Sequence, residues 1–211
     1  MGINLDKKTG INLSKGSSIS LEKQGAKLEH ICVGVNWGAI QHSFFFNLFQ
    51  QTETVDLDAS VSLFDNKKNN VDTIFFNKLI SADGAVQHSG DDRQGDLGRD
   101  DDLDNEVISV TLSKINPAIE QIVFFLNSFK NQDFAHIPYS KIRIYEGTPK
   151  YVQEVFATYN CSSERSFSGH VTMILAKLVR SGQNWEFKVI GEASPARGIR
   201  ETIAEIQLKY L

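Results

Sequence analysis

The residues best able to do chemistry in this sequence are the carboxylates of one short stretch. Residues 91–106 read DDRQGDLGRDDDLDNE. The eight acidic side chains in this stretch are Asp91, Asp92, Asp96, Asp100, Asp101, Asp102, Asp104 and Glu106. Only Arg93 and Arg99 oppose them, so the stretch has a net charge of −6 while the whole chain has −4. Like charges at this density repel one another, and a multivalent cation would relieve that repulsion if the stretch is ordered.

A second pair of carboxylates lies on a predicted strand. Asp56 and Asp58 alternate with the apolar residues Val55, Leu57 and Ala59. Side chains two residues apart on a strand share a face and lie roughly 7 Å apart. Both carboxylates therefore project together from the polar face, and we expect them to meet the acidic stretch at the end of the strand.

Carboxylates without matching cysteine or histidine ligands indicate a hard cation. Ca²⁺ takes roughly six to eight oxygen ligands in flexible geometry, whereas Zn²⁺ favours imidazole and thiolate ligands. The five histidines have no metal-ligand spacing, and His88, the one near the stretch, is interpreted as a hydrogen-bonding structural residue. An EF-hand is excluded because Asn105 stands at the glycine position and Thr111 at the position of the closing glutamate.

Three functions remain open on these residues. The first is a calcium-binding protein that acts through partners, and the second is a metal-dependent hydrolase that uses the same carboxylates. The third is an interaction module whose acidic loop is merely solvated. The sequence contains no GxSxG elbow, no P-loop and no GxGxxG motif after a strand, so we do not expect an enzyme.

Composition excludes several other classes of protein. The chain has 211 residues, of which 41% are hydrophobic and 23% charged, as in ordinary globular proteins, and we predict a single domain over residues 1–211. Its mild acidity argues against a nucleic-acid binder, and no apolar run reaches the roughly 18 residues of a transmembrane helix. Cys32 and Cys161 lie in apolar, strand-like runs and are predicted to be buried thiols. Residues 1–15 have no signal-peptide core, so we expect the cytoplasm.

The elements that must position these side chains are mostly strands. Hydrophobic residues alternate with polar ones along most of the chain, which is typical of antiparallel sheets. We predict strands over residues 30–37, 54–64, 73–76, 107–112, 121–129, 141–145, 151–159, 169–179 and 185–190. A helix is predicted over 197–211, with Ser194 as its N-cap and Pro195 at its first position. The run Phe44–Phe46 with Phe49 is predicted to be a short helix or a loop inserted into the core; the alternative is an exposed patch that contacts a partner or a membrane. The predicted fold is mainly all-β: a β-sandwich of two antiparallel sheets with a C-terminal helix.

Several motifs together resemble one known family over nearly the whole chain. They are NLSKGSSISL at 12–21, VDLDAS at 55–60, SADGAVQHSGDD at 81–92 and DNEVISVTL at 104–112. In this combination the chain resembles the TerD-type tellurite-resistance and stress-response proteins of bacteria. The stretch NSFKNQDF at 127–134 and the aromatic insertion before VDLDAS are most similar to the TerZ branch of that family.

The resemblance implies a calcium-binding β-sandwich with no established enzymatic activity. It also implies a place in the cytoplasm or at the surface of the inner membrane, and partners among other stress-response and tellurite-resistance proteins. Carried over by position, the implied metal ligands are Asp56, Asp58, Asp91, Asp92, Asp104 and Glu106. Asp96 falls where acidic residues often occur in the family loop. A further ligand is expected among Asp100, Asp101 and Asp102, and Asp102 is the one included in the predicted Ca²⁺ site.

Overall fold

The computed structural model describes residues 10–23, 25–44, 49–98, 100, 102–161 and 167–211. Its strands are, in chain order, β1 (Ile11–Asn12), β2 (Ser18–Ser20), β3 (Glu22–Lys23), β4 (Ala26–Lys27), β5 (His30–Trp37), β6 (Ile40–Phe44), β7 (Phe49–Glu53), β8 (Leu57–Asp65), β9 (Asn70–Ile74), β10 (Val86–His88), β11 (Glu106–Thr111), β12 (Ile119–Ser128), β13 (Ser140–Thr148), β14 (Tyr151–Asn160), β15 (Thr172–Ser181) and β16 (Asn184–Ser194). One α-helix, α1 (Ile199–Lys209), follows β16. Short 3₁₀ turns lie at Leu112–Lys114 and Phe134–His136.

Two six-stranded sheets form the body of the protein. The first sheet has the order β1-β14-β13-β5-β11-β10, and the second has the order β2-β16-β15-β12-β8-β9. Neighbouring strands in both sheets pair antiparallel, apart from β1, which runs parallel to β14. The mainly-β fold expected from the sequence, two sheets with a C-terminal helix, is therefore confirmed.

The core lies between the two sheets, where the alternating apolar side chains meet. On β5 the inward residues include Val33, Val35 and Trp37, and on β8 they include Leu57 and Ala59. All five are at most 2% exposed. The period-two pattern predicts this arrangement, since residues two apart on a strand point to the same face. The opposite face of β8 therefore carries Asp58 and the residues in register with it.

Helix α1 covers the outer face of the second sheet. Its residue Ile206 is fully buried and packs with Phe64, Val123, Phe125 and Ile174. This apolar patch explains why the last strand is followed by an amphipathic helix, which needs such a surface for its stability. No helix in the part of the chain that the structure describes is long and apolar enough to cross a membrane.

The predicted start of the helix is wrong. Ser194 is the last residue of β16 and pairs with Thr172 in the sheet, so its backbone is extended and it is not an N-cap. Its hydroxyl instead accepts a hydrogen bond from the Ala196 N–H and donates to Glu205. The position before the helix is Gly198, which has no capping side chain. Strand β16 continues to Ser194, beyond its predicted end at residue 190, so the helix begins at Ile199 and not at Pro195.

The aromatic run before β8 also differs from its prediction. Phe44 ends β6 and Phe49 begins β7, and the two residues pair directly in an antiparallel hairpin. The expected helix or core-inserted loop is therefore wrong for these two residues. Phe45 and Phe46 lie outside the described residues.

The packing of α1 generates a stability prediction. Ile206→Ala should lower the free energy of unfolding by about 2–5 kcal/mol, because it leaves a cavity in a fully buried contact. Leu208→Ala is the matched control on the same helix, since Leu208 is 80% exposed, and it should change that free energy by less than about 0.5 kcal/mol. Urea denaturation of both variants measures the difference, and equal stabilities would contradict the observed packing.

Candidate metal centre

The acidic stretch is folded against the end of the sandwich where β5 ends and β8 begins. The Asp96 N–H donates to Trp37 O at 3.0 Å, and Asp96 O accepts from the Ala39 N–H at 2.9 Å. The Val55 N–H donates to Gln94 O at 3.1 Å. These backbone bonds place the beginning of the stretch beside the residues that lead into β8. The pairing holds Asp91 near Asp56 and Asp58, although more than thirty residues separate them in the chain.

Three carboxylates converge at this place. Asp56 precedes β8, Asp58 is its second residue, and Asp91 follows β10. One oxygen from each of the three lies within 4.8 Å of the others. Because Ca²⁺–oxygen bonds are about 2.4 Å long, two oxygens on opposite sides of one ion lie about 4.8 Å apart. The spacing therefore fits a group of ligands around a single cation.

The burial of this cluster disfavours negative charge. Asp56 and Asp58 are each 5% exposed. Burial raises the pKa of Asp58 to about 7, and the nearby carboxylates Glu106, Asp56 and Asp91 add to that effect. Burial also raises the pKa of Asp56. Such shifts are expected where carboxylates share a site with little water, and a bound cation would reverse them.

Glu106 is close to the cluster, but its two oxygens already have donors. Its Oε2 accepts from the Ala59 N–H at 2.7 Å, and its Oε1 accepts from the Asp92 N–H at 3.1 Å. The carboxylate therefore joins β11 of the first sheet to β8 of the second and to the acidic stretch. Burial raises the pKa of Glu106.

His88 is a hydrogen-bonding residue, as the sequence predicts. Its Nδ1 accepts from the Gly90 N–H at 3.0 Å, which leaves the proton of the neutral ring on Nε2. Nε2 lies 3.0 Å from Ala59 O and 3.3 Å from Oε2 of Glu106. Both ring nitrogens are therefore engaged: Nε2 links β10 of the first sheet to β8 of the second, and Nδ1 holds the turn that follows β10.

Asp104 lies with a basic residue instead of with the three carboxylates. The Nε–H of Arg143 donates to both carboxylate oxygens of Asp104, at 2.8 and 2.9 Å, and Nη2 donates to Asp102 O at 2.8 Å. The pair packs over Gly34, where a Cβ atom would come within 2.0 Å of Oδ2 of Asp104. Burial raises the pKa of Asp104, and the Arg143 charge opposes that rise.

The other expected ligands have local structural contacts. Oδ1 of Asp92 accepts from the Gln94 and Gly95 N–H groups at 2.8 and 3.0 Å. Asp96 accepts from the Tyr139 hydroxyl and, at 3.2 Å, from the Asn105 amide. Asp102 is exposed and has a positive φ of 64°. The structure does not group these three with Asp56, Asp58 and Asp91, so their role as ligands stays a prediction.

Two basic residues of β13 pair with the acidic stretch, and the sequence did not predict these ion pairs. Lys141 forms an ion pair with Asp100, and Arg143 forms one with Asp104. These partners are 41 and 39 residues apart, so no local spacing could have linked them. Their alternation on one strand was the available signal, because residues two apart share a face. Arg99 and Asp101 lie outside the described residues.

The raised pKa of Asp58 generates a pH-dependent prediction for the metal-free protein. The folded state holds this proton more tightly than the unfolded state, whose pKa is near 3.8. Stability should therefore fall as pH rises from about 4 to about 7, and the loss should be complete above that window. Asp58→Asn should raise the melting temperature at about pH 8 and change it little at about pH 4.

The control for this experiment is Asp102→Asn, which removes an exposed carboxylate of the same stretch. It should not reproduce the pH-dependent gain in melting temperature. A metal-free Asp58→Asn protein that is less stable than the parent at about pH 8 would contradict the assignment of a buried, repelled charge.

The buried ion pair generates a second prediction at this site. Arg143→Met should lower the free energy of unfolding by about 3–5 kcal/mol, because it leaves the carboxylate of Asp104 buried without its partner. The double variant Arg143→Met, Asp104→Leu should recover part of that loss, since it removes the unpaired charge. Urea denaturation checks both values. Additive losses in the double variant would show that the two side chains are not coupled.

Comparison with known proteins agrees with this fold and these motifs. The TerD domain model matches residues 9–207. The tellurium resistance protein TerZ of Serratia marcescens is 32% identical over 190 residues, which cover 90% of this chain and 93% of that protein. The stress response protein SCP2 of Bacillus subtilis is 32% identical over 213 residues, which cover 97% of this chain and 98% of that protein. Both names refer to resistance or stress and not to a reaction.

A solved structure supports the architecture independently. It is the crystal structure of a homologue of the telluride resistance protein TerD from Streptomyces coelicolor, with a TM-score of 0.60 over 84% of this chain and 95% of that one. At 17% sequence identity this likeness shows the fold alone. The family match and the two relatives confirm the resemblance seen in the motifs. The chain therefore belongs to the TerD domain family, a family of tellurium resistance and stress-response proteins.

Proposed function

We propose that this protein binds Ca²⁺ at the carboxylates of Asp56, Asp58 and Asp91 and acts in the stress response through that site. The observation that carries the proposal is the convergence of three carboxylate oxygens to within 4.8 Å of one another. Two of the three side chains are almost completely buried. Buried carboxylates are normally paired with a basic residue or with a metal ion.

The available partners do not neutralise this cluster. Arg93 forms an ion pair with Asp91 at 2.8 Å, and its side chain is 77% exposed. Asp56 and Asp58 have no ion pair within the described residues. A divalent cation would supply the missing charge and would accept the oxygens as ligands.

The donor set favours Ca²⁺ over other common metal ions. All three side chains offer carboxylate oxygen, whereas zinc sites use nitrogen and sulfur ligands. Mg²⁺ demands a tight octahedron and keeps several of its waters. Carboxylates from a strand and a loop far apart in sequence suit the looser coordination of Ca²⁺.

The hydrolase alternative has only the raised pKa of Asp58 in its favour, and a bound cation would reverse that shift. Acid–base chemistry would need a titratable group within hydrogen-bond reach of a bound water or substrate. His88 has both ring nitrogens engaged, and Glu106 has donors on both oxygens. We therefore propose that the cation has a structural or signalling role.

We further propose that the protein acts by associating with other stress-response and tellurite-resistance proteins or with the inner membrane surface. Phe129 supports this, because it is 63% exposed and its backbone N–H donates to Asp56 O at 2.9 Å. Its ring packs edge-to-face on Phe76, with the centroids 6.1 Å apart. An exposed aromatic side chain beside the cation site fits a contact surface. The buried thiol of Cys32, which is in no disulfide, agrees with a cytoplasmic setting.

Calcium titration of the metal-stripped protein tests the proposal. Ca²⁺ at a hundredfold excess over its Kd should stabilise the folded state by about 2.7 kcal/mol, and the melting temperature should rise accordingly. Mg²⁺ should bind more weakly. The far-ultraviolet circular dichroism should change little on chelation, because the core between the sheets does not include the site.

Variants locate the binding in the cluster. Asp58→Ala and Asp91→Ala should each weaken Ca²⁺ binding strongly, although they lie on a strand and a loop far apart in sequence. Glu29→Gln is the matched control, since Glu29 is exposed and precedes the opposite end of β5. If Ca²⁺ leaves the melting temperature of the parent unchanged, the acidic stretch is simply solvated and the proposal is wrong.

A further inference from the structure

A buried amide oxygen without a hydrogen-bond donor belongs to β12, the strand that pairs with the start of β8. Asn127 of β12 is 7% exposed. Its Nδ2 donates to the Thr172 hydroxyl at 2.6 Å and to the Thr202 hydroxyl at 3.3 Å. Its Oδ1 has no hydrogen-bond partner within the described residues. A buried polar atom without a partner is rare and calls for an explanation, such as an ion.

The hydroxyl of Thr202 fixes which end of the Asn127 amide is the oxygen. Thr202 donates its single proton to Gly198 O at 2.9 Å. It can therefore only accept from Asn127, so the group that faces Thr202 must be the amide nitrogen. The oxygen lies at the other end of the amide.

The strand register places this oxygen beside Asp58. Asn127 and Asp58 are directly opposite each other on the antiparallel strands β12 and β8. Side chains in such a pair point to the same face and have Cβ atoms about 5 Å apart. Thr172 lies on β15, which flanks β12 on the side away from β8. Because Nδ2 turns towards β15, Oδ1 turns away from it, towards the carboxylates.

A second buried oxygen on this face also lacks a partner. Ser60 is fully buried, and its Oγ has no hydrogen bond within the residues described. It follows Asp58 by two positions on β8 and so points to the same face. Two unpartnered oxygens thus flank Asp58, one across the sheet and one along the strand. Their grouping around a single carboxylate points to a missing cation more than to unrelated packing defects.

We propose that Oδ1 of Asn127 is a neutral ligand of the cation bound at Asp56, Asp58 and Asp91. The inference rests on the proposed function and extends its ligand set beyond carboxylates. Ca²⁺ readily accepts the carbonyl oxygen of an asparagine side chain. A neutral oxygen raises the coordination number without adding a fourth negative charge to a cluster that is already repelled. The short hydrogen bond from Nδ2 to the Thr172 hydroxyl, at 2.6 Å, holds the amide in the orientation that this role requires, and the 3.3 Å contact with Thr202 is not needed for it.

Calorimetric Ca²⁺ titration of the metal-stripped full chain tests the assignment with three variants. Asn127→Ala should weaken Ca²⁺ binding by about tenfold or more, as the loss of a positioned group at a metal site commonly does. Asn127→Asp keeps an oxygen at the same place and should bind Ca²⁺ at least as tightly as the parent. Thr202→Val removes one acceptor of Nδ2 and leaves Oδ1 intact, so its Kd should stay close to that of the parent.

Each outcome decides between this assignment and its alternatives. If the parent binds Ca²⁺ and Asn127→Ala binds it equally well, the proposed function stands and the role of Asn127 is wrong. If Thr202→Val weakens binding as much as Asn127→Ala, the effect comes from packing, and the ligand assignment is wrong. If Asn127→Asp weakens Ca²⁺ binding as much as Asn127→Ala does, the ligand assignment is also wrong. Weaker Ca²⁺ binding by Asn127→Asp than by the parent contradicts the assignment even if Asn127→Ala fails to fold. A parent that binds no Ca²⁺ removes both proposals.

Discussion

The constraint on which the rest of this structure depends is the placing of like charges where water is largely excluded. Asp56 and Asp58 are buried at the start of β8, and Asp91 lies against them. Burial raises the pKa of Asp58 to about 7, and repulsion from the nearby carboxylates, which is strong in a medium of low dielectric constant, adds to that rise. The sandwich must hold these groups together by contacts elsewhere, since the groups themselves favour separation.

Those contacts divide the acidic stretch into parts with different roles. Asp100 and Asp104 are neutralised by Lys141 and Arg143, which fastens the second half of the stretch to the outer face of the first sheet. Glu106, on β11 of the first sheet, accepts hydrogen bonds from the backbone of the second sheet and of the stretch itself. Among the described residues, the buried carboxylates of Asp56 and Asp58 have no ion pair, and Asp91 beside them pairs with the exposed Arg93. The net charge of −6 on the acidic stretch therefore does not correspond to one large metal site. Most of the stretch is a loop held in place by ion pairs and hydrogen bonds, and only Asp91 of the stretch lies in the cluster with Asp56 and Asp58.

The sequence could predict the parts of this arrangement that depend on local periodicity. The faces of β5 and β8 follow from alternation, and so does the shared direction of the two carboxylates that flank Leu57. Contacts between segments that are distant in the chain could not be predicted from local periodicity. The pairing of Asp104 with Arg143 depends on how β13 lies beside β5, which periodicity does not determine. Ser194 was misplaced because a serine before a proline has the same local pattern at a helix start and at a strand end.

Because the cluster includes residues from segments of both sheets, a cation bound there could connect the sheets, which a cation bound by the acidic loop alone could not do. Asp58 belongs to the second sheet and Asp56 directly precedes its strand β8, whereas Asp91 lies on the connection between β10 and β11 of the first sheet. A bound ion would therefore join the two sheets at one end of the sandwich, next to the link that Glu106 and His88 already make. That existing link joins the Glu106 carboxylate and the His88 ring to the backbone of Ala59 and needs no metal. The sandwich can thus be complete without the ion, while the exposed surface around Phe129 and Asp91 changes its charge when the ion binds. A stable scaffold whose surface charge depends on an ion is suited to control association with partners, because long-range electrostatics act on encounter more than on folding.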